Sequence, residues 1–119
     1  MKSLGEVYER RAAALLEDSG LRLLKRNFRC RTGEIDLVAL DDALLIFVEV
    51  RARFNTFYDS AAGSVDIRKQ RRIVRTAQWF LQCHPQWANF PCRFDVVAFE
   101  PPQSGTTLGI KWIRGAFTA

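Results

Sequence analysis

The spacing of hydrophobic positions changes period along the chain. Between Ser3 and Gly20, Leu4, Tyr8, Ala12, Leu15 and Leu16 recur at helical intervals, which predicts a first helix. Ser3 is suited to cap it, and Glu6, three residues later, completes a capping box. Gly20 is placed to end it in a left-handed conformation. Leu21 to Lys25 reads as a short strand, and the following RNFRCRTG either extends that strand or loops.

The period then shortens. Glu34 to Leu40 and Leu44 to Ala52 are rich in Val, Ile, Leu and Phe and are separated by DDA, which predicts two strands joined by a turn. Arg53 to Gly63 reads as a loop whose Phe54, Phe57 and Tyr58 either pack it down or form a mobile lid. A second helix is predicted from near Ser64 or Asp66 to about Cys83, with Ile73, Ala77, Phe80 and Leu81 as its apolar stripe and Pro85 as its stop. Cys92 to Phe99 predicts a further strand, PPQSGTTLG a polar turn, and Ile110 to Arg114 a last short strand. The order αβββαββ points to an α/β or α+β arrangement of helices around a mixed sheet.

The 119 residues fit one domain, 1–119, large enough to fold without a disulfide or structural metal. No apolar run reaches the ~18 residues of a membrane span, and the start of the chain does not read as a signal peptide. The expectation is a cytoplasmic protein with no membrane partner. Cys30, Cys83 and Cys92 are odd in number and widely spaced, which suits free thiols in a reducing compartment. A zinc site from Cys83, His84 and Cys92 lacks an obvious fourth ligand and the usual paired spacing. Trp79, Trp87 and Trp112 are read as core rather than interface.

Charge adds a partner to the picture. The net charge is +5, and the excess is clustered: Arg22, Lys25, Arg26, Arg29 and Arg31 form one group without an acid, and Arg68, Lys69, Arg71, Arg72 and Arg75 form another. Either these are solvated faces, or they meet a polyanion, most simply nucleic acid.

The segment GEIDLVALDDALLIFVEVRAR (33–53) places charges inside two otherwise apolar strands. Buried charges are costly unless paired or bound to a metal. Side chains alternate across a strand, so Glu34, Asp36, Val38 and Leu40 are expected on one face, and Leu45, Phe47, Glu49, Arg51 and Arg53 on one face of the next strand. A two-residue turn at Asp42 and Ala43 would pair Leu40 with Leu45 and Asp36 with Glu49, whose Cβ atoms would then lie about 4.5–5.5 Å apart. A three-residue loop would put the two acids on opposite faces. With the faces matched, a hard divalent cation such as magnesium offsets the repulsion, and Arg51 reaches a phosphate oxygen beside it. The alternative is an ion pair of Arg51 with Glu49 or Asp36 at a sheet end.

An Asp on one strand followed by Glu-x-Lys on the next is the pattern of the PD-(D/E)xK nuclease superfamily, and this chain resembles it. More closely, the chain resembles the YraN family of uncharacterised bacterial proteins. The matching pieces are Glu9 with Ala12 and LL (15–16), Gly20, RN (26–27), GEIDLVA (33–39), FVEVR (47–51), Lys69 with Gln70, Ala77, RFDVVAF (93–99) and AF (116–117), in order along nearly the whole chain. The resemblance implies a restriction-endonuclease-like fold: a mixed central β-sheet flanked by helices.

It also implies a site. Asp36 and Glu49 would be metal ligands, joined by the Val50 carbonyl and by Glu9, with magnesium or manganese as the ion. Glu34 would either join a second metal or sit at the sheet's edge. Asp36, Glu49, Arg51 and Lys69 would form the catalytic set of a nuclease acting on DNA rather than RNA. Branched or damaged structures would suit it, as in a Holliday-junction resolvase, and a symmetric junction would call for a homodimer. Arg31, Arg53, Arg68, Lys69, Gln70 and Arg72 would contact the nucleic acid.

Two positions depart from the superfamily pattern. Ile35 stands where a proline commonly precedes the Asp, and Arg51 stands where the superfamily usually has Lys. Arginine stays protonated at any useful pH, so Arg51 can stabilise a phosphorane but cannot act as a general base. Either metal-bound water supplies the hydroxide or Lys69 stands in. The competing expectation is a non-catalytic nucleic-acid-binding module that retains the fold.

Overall fold

The computed structural model describes residues 3–52, 65–100 and 109–119. Its elements follow the expected order: α1 (Leu4–Asp18), β1 (Arg22–Cys30), β2 (Gly33–Asp41), β3 (Leu44–Ala52), α2 (Ile67–Cys83), β4 (Cys92–Glu100) and β5 (Gly109–Phe117), with a 3-10 turn at Pro85–Trp87. The loop read over Arg53 to Gly63, with Phe54, Phe57 and Tyr58, and the polar segment 101–108 lie outside the described residues.

The five strands form one sheet in the order β1-β2-β3-β4-β5. Neighbours are antiparallel except β3 and β4, which run parallel. A parallel pair needs a crossover, and α2 lies within it. The two helices cover opposite faces. Ala12, Ala13 and Leu16 of α1 pack with Leu37, Ala39, Ile46, Val48 and Phe99. Ile73, Ala77 and Phe80 of α2 pack with Val38, Leu45, Phe47, Phe94 and Val96. Strands β2, β3 and β4 are thus buried on both sides, which is why their sequences are almost continuously apolar.

Helix ends follow local chemistry. Ser3 accepts from the Glu6 N–H at 3.2 Å, and Asp66 accepts from the Lys69 N–H at 2.9 Å. At the end of α1, Gly20 N–H donates to Glu17 O and Leu21 N–H to Leu16 O, both at 3.0 Å. That paired closure needs a left-handed residue, and Gly20 supplies it at φ 94°.

Two strands extend beyond the residues that read outright as strand. Of the two alternatives for the residues after Lys25, the structure has the extension, with β1 continuing to Cys30, and β5 runs to Phe117 rather than Arg114. Each is interrupted, so its polar alternation loses its period. In β1 the register shifts between Leu23 and Lys25, and Asn27 adopts φ 51°. Between β4 and β5 it shifts across Asp95, from Phe94↔Phe117 to Val96↔Ile113.

Asp95 organises the second interruption. Its carboxylate is fully buried and accepts from Arg93 Nε at 2.8 Å, and from Arg93 Nη2, Trp112 Nε1 and the Gly115 N–H at 2.9 Å each. A buried carboxylate is tolerable when its oxygens are satisfied in this way.

The cysteines are free. Cys83 and Cys92 are exposed, while His84 stacks on Phe80 with ring centroids 4.1 Å apart and its Nδ1 lies 2.8 Å from the Phe80 carbonyl. His84 is therefore part of the apolar packing under α2. Trp87 and Trp112 are partly buried against the two cores, but Trp79 corrects the expectation of a buried tryptophan: it is 44% exposed.

Candidate functional site

The turn between β2 and β3 decides where the acids meet. Asp41↔Leu44 and Leu40↔Leu45 are paired, leaving the two-residue turn Asp42–Ala43, with Asp42 at φ 52°. The register is the one that brings Asp36 and Glu49 level. The ladder stops one position short of them, at Leu37↔Val48. The expected direct pairing of Asp36 with Glu49 is therefore corrected. The strands part there, and Asp36 Oδ2 accepts from the Val50 N–H at 2.8 Å.

The expected common face of Glu34, Asp36, Val38 and Leu40 is also interrupted. Leu37 and Ala39 pack on the α1 side and Val38 and Leu40 on the α2 side, yet Ile35, two residues before Leu37, packs on the α2 side. The alternation breaks at Asp36. Its counterpart on β1 is Asn27, flanked by Arg26↔Leu37 and Phe28↔Ile35 and held at φ 51°. Left-handed non-glycine residues inside strands mark such irregularities, and asparagine is among the few that tolerate them. The Asn27 side chain also stands where it favours the charged form of Glu9, against the effect of burial. The sequence assigned Asn27 no role; its signals were the RN (26–27) piece of the family resemblance and a polar residue inside a run of basic and apolar positions.

The parted strands open a cleft of about 300 Å³, lined on the sheet side by Asp36, Glu49 and Arg51, on α1 by Tyr8 and Glu9, and on α2 by Lys69. Asp36 and Glu49 are only 7% and 5% exposed. Lys69 Nζ lies 3.2 Å from Glu49 Oε1, and Arg51 Nη1 lies 3.8 Å from the same oxygen. Burial, and then the neighbouring Glu49 charge, push the Asp36 carboxyl up to about 7, against the pull of the Val50 N–H. Burial also raises Glu49, opposed by Lys69 and Arg51. Glu9 is raised by burial and by the neighbouring Asp36 charge.

Of the other expected site residues, Glu34 stands at the rim of the cleft and the rest are dispersed. Glu34 is exposed and pairs with Arg29 at 3.0 Å, and its charge adds to the upward push on Asp36 and Glu9. Arg31 is exposed at the β1–β2 turn, and Arg68 and Arg72 are exposed on α2. Gln70 turns away from the cleft: its Nε2 donates to the Val65 carbonyl at 3.0 Å. Arg53 lies outside the described residues.

Among the described residues no group of three or more His, Cys, Asp or Glu side chains is arranged to hold a metal. The donor set is the pair Asp36 and Glu49 with the backbone of Val50 beside them. Hard oxygen donors in that number suit magnesium, which is typically held by one or two carboxylates and completes its shell with water and phosphate oxygens.

The protein-family model described as uncharacterised protein family UPF0102 matches residues 8–99. The chain belongs to the UPF0102 family. A UPF0102 protein of Stutzerimonas stutzeri is 52% identical over 116 residues, covering 98% of this chain and 95% of that protein. One from Alcanivorax borkumensis is 47% identical, covering 98% and 92%, and one from Pseudomonas entomophila is 47% identical, covering 95% and 91%. The resemblance to the YraN family is thereby borne out. The UPF0102 match takes in Glu9, Asn27, Asp36, Glu49, Arg51, Lys69 and Asp95, and ends before β5. No described helix of this UPF0102 protein is long and apolar enough to cross a membrane.

Proposed function

We propose that the protein is a magnesium-dependent phosphodiester hydrolase of the PD-(D/E)xK type that acts on DNA. The observation that carries this reading is the convergence of two buried carboxylates, Asp36 and Glu49, with Lys69 and Arg51 in one open cleft. Asp36, Glu49 and the Val50 carbonyl would hold the ion, with Glu9 beside Asp36. Magnesium, when bound, supplies Lewis acidity that acidifies a water and neutralises phosphate oxygens. Arg51 offers fixed guanidinium donors to the scissile phosphate. Lys69 is the group able to give up a proton and assist the attacking water. Arg31, Arg53, Arg68 and Arg72 would neutralise flanking backbone, giving an affinity that falls with salt.

The test is cleavage of linear, nicked and four-way DNA with magnesium and with manganese. Activity is expected with wild type and absent from Asp36→Ala and Glu49→Ala. Intact DNA in every wild-type reaction would sink the hydrolase reading. The ion pair of Glu49 with Lys69 favours one second reading, a binding module whose acids are permanently neutralised by cations. That reading predicts salt-sensitive binding without cleavage and no gain from magnesium.

A further inference from the structure

Helix α2 contains five basic residues and no acid. Lys69 turns into the cleft toward Glu49. Arg68, Arg71, Arg72 and Arg75 are exposed and line a shared groove, and among the described residues none of them has an ion-pair partner. By contrast Arg29, in the other basic cluster, is paired with Glu34. Four unpaired guanidiniums within two turns repel one another unless an anion lies across them.

At about 100° per residue, Arg68, Arg72, Arg75 and Trp79 stand one above another on a single narrow arc, with Arg71 at its margin. Trp79 is 44% exposed, while Phe80 beside it is fully buried. The arc begins at the cleft, because Arg72 also lines a second opening beside Glu49 and Lys69. It ends at Trp79, about 15 Å along the helix axis from Lys69. Guanidiniums in a row followed by an exposed indole combine a surface for phosphates with a surface for a base. A base in a duplex has no free face to offer that indole.

We propose that the outer face of α2 is a track for single-stranded DNA. Arg68, Arg71, Arg72 and Arg75 hold successive phosphates, and Trp79 stacks an unpaired base. The track covers about four to five nucleotides at stacked spacing. The substrate then carries a single-stranded arm on one side of the position where Asp36 and Glu49 converge. This deepens the nucleic-acid reading of the cleft but does not depend on hydrolysis.

Binding to a short oligo-dT strand and to a matched duplex, in metal-free buffer, tests it. Indole quenching on strand binding is expected for wild type and not for Trp79→Ala. Trp79→Ala should weaken strand binding about tenfold, and Trp79→Phe should restore most of it. Arg71→Gln with Arg75→Gln should lower the slope of log affinity on log salt by about 1.4. Because all three side chains are exposed, these variants keep the fold. Unchanged affinity and emission in the variants would overturn the track. So would a dependence on these residues for duplex or anionic phospholipid vesicles and not for the strand. A Trp79-dependent strand complex in a protein that cuts nothing would refute hydrolysis and leave the track standing. Cleavage that ignores all these variants would do the reverse.

Discussion

The Lys69 ammonium on α2 lies 3.2 Å from Glu49 Oε1, closer than the Arg51 guanidinium at 3.8 Å on the strand that carries Glu49. Arg51 stands two residues after Glu49 on the same strand, and Lys69 reaches the same carboxylate from the helical layer of the fold. Its backbone is anchored where it enters: the Lys69 N–H is the one that Asp66 caps. A single turn of helix therefore both starts α2 and delivers a titratable cation to the acid pair.

If Lys69 moves a proton, Lys69→Met should lower single-turnover cleavage by about 10²–10⁴-fold. Lys69→Arg keeps the charge but cannot lose a proton at any useful pH, so it should fall nearly as far. Arg51→Lys should retain activity, since it preserves charge beside Glu49. Wild-type rates in Lys69→Arg would show that Lys69 acts by charge alone.

Metal binding should track the Asp36 proton. With that carboxyl pushed up to about 7, the ion must displace a proton at acidic pH. Magnesium affinity measured by calorimetry is expected to fall about tenfold per pH unit below 7 and to level off above it. The proton released per ion, read from buffers of different ionisation enthalpy, should decline toward zero above pH 8. A flat profile from pH 5 to 8 would show that Asp36 is ionised throughout.

The acid pair was legible because its elements are regular up to the point where they serve the site. Leu37 to Leu40 and Leu45 to Val48 alternate cleanly, and of the two loop lengths that the sequence allowed, the structure has the two-residue turn that matches their faces. The fold order was legible for the same reason, as helical and strand periods differ. What the sequence did not disclose are the irregularities. The parting of β2 from β3 at Asp36, the left-handed Asn27, and the register shift at Asp95 all break the period on which a pattern reading depends. Trp79 was misjudged because a tryptophan's average burial says nothing about which arc of a helix it occupies. Lys69 was singled out by resemblance; nothing in its local pattern separates it from the four arginines around it.

The raised Asp36 carboxyl also predicts how stability varies with pH. Its ordinary value is 3.8 and its folded value about 7, so between about pH 4 and 7 the folded chain holds more protons than the unfolded one. Its contribution is full below about pH 4 and is lost as pH rises through 7. Asp36→Asn keeps an acceptor for the Val50 N–H and removes the charge. Without metal, it should be more stable than wild type by about 2–4 kcal/mol at pH 8 and close to wild type at pH 4. Urea titrations at the two pH values check this. A variant less stable than wild type at pH 8 would mean that the ionised carboxylate is well solvated or well paired.

Asp95 should behave oppositely to Asp36. Both are buried carboxylates, but Asp95 has four donors on its two oxygens, including a bidentate guanidinium. Removing it strands the Arg93 charge, the Trp112 indole N–H and the Gly115 N–H at once. Asp95→Ala should therefore cost about 3–5 kcal/mol, read as a lower urea midpoint with an unchanged slope. Asp95→Asn keeps one acceptor but loses the charge that Arg93 faces, and should cost about half as much. The effect should reach β5 first, because Gly115 at φ 61° is held by this contact where the strand leaves its register. Amide exchange in Asp95→Asn should accelerate at Gly115 and its neighbours before β2 or β3 is affected. Uniform acceleration across the sheet would show that Asp95 supports the whole core, and a loss below about 1 kcal/mol for Asp95→Ala would show that its donors find other partners.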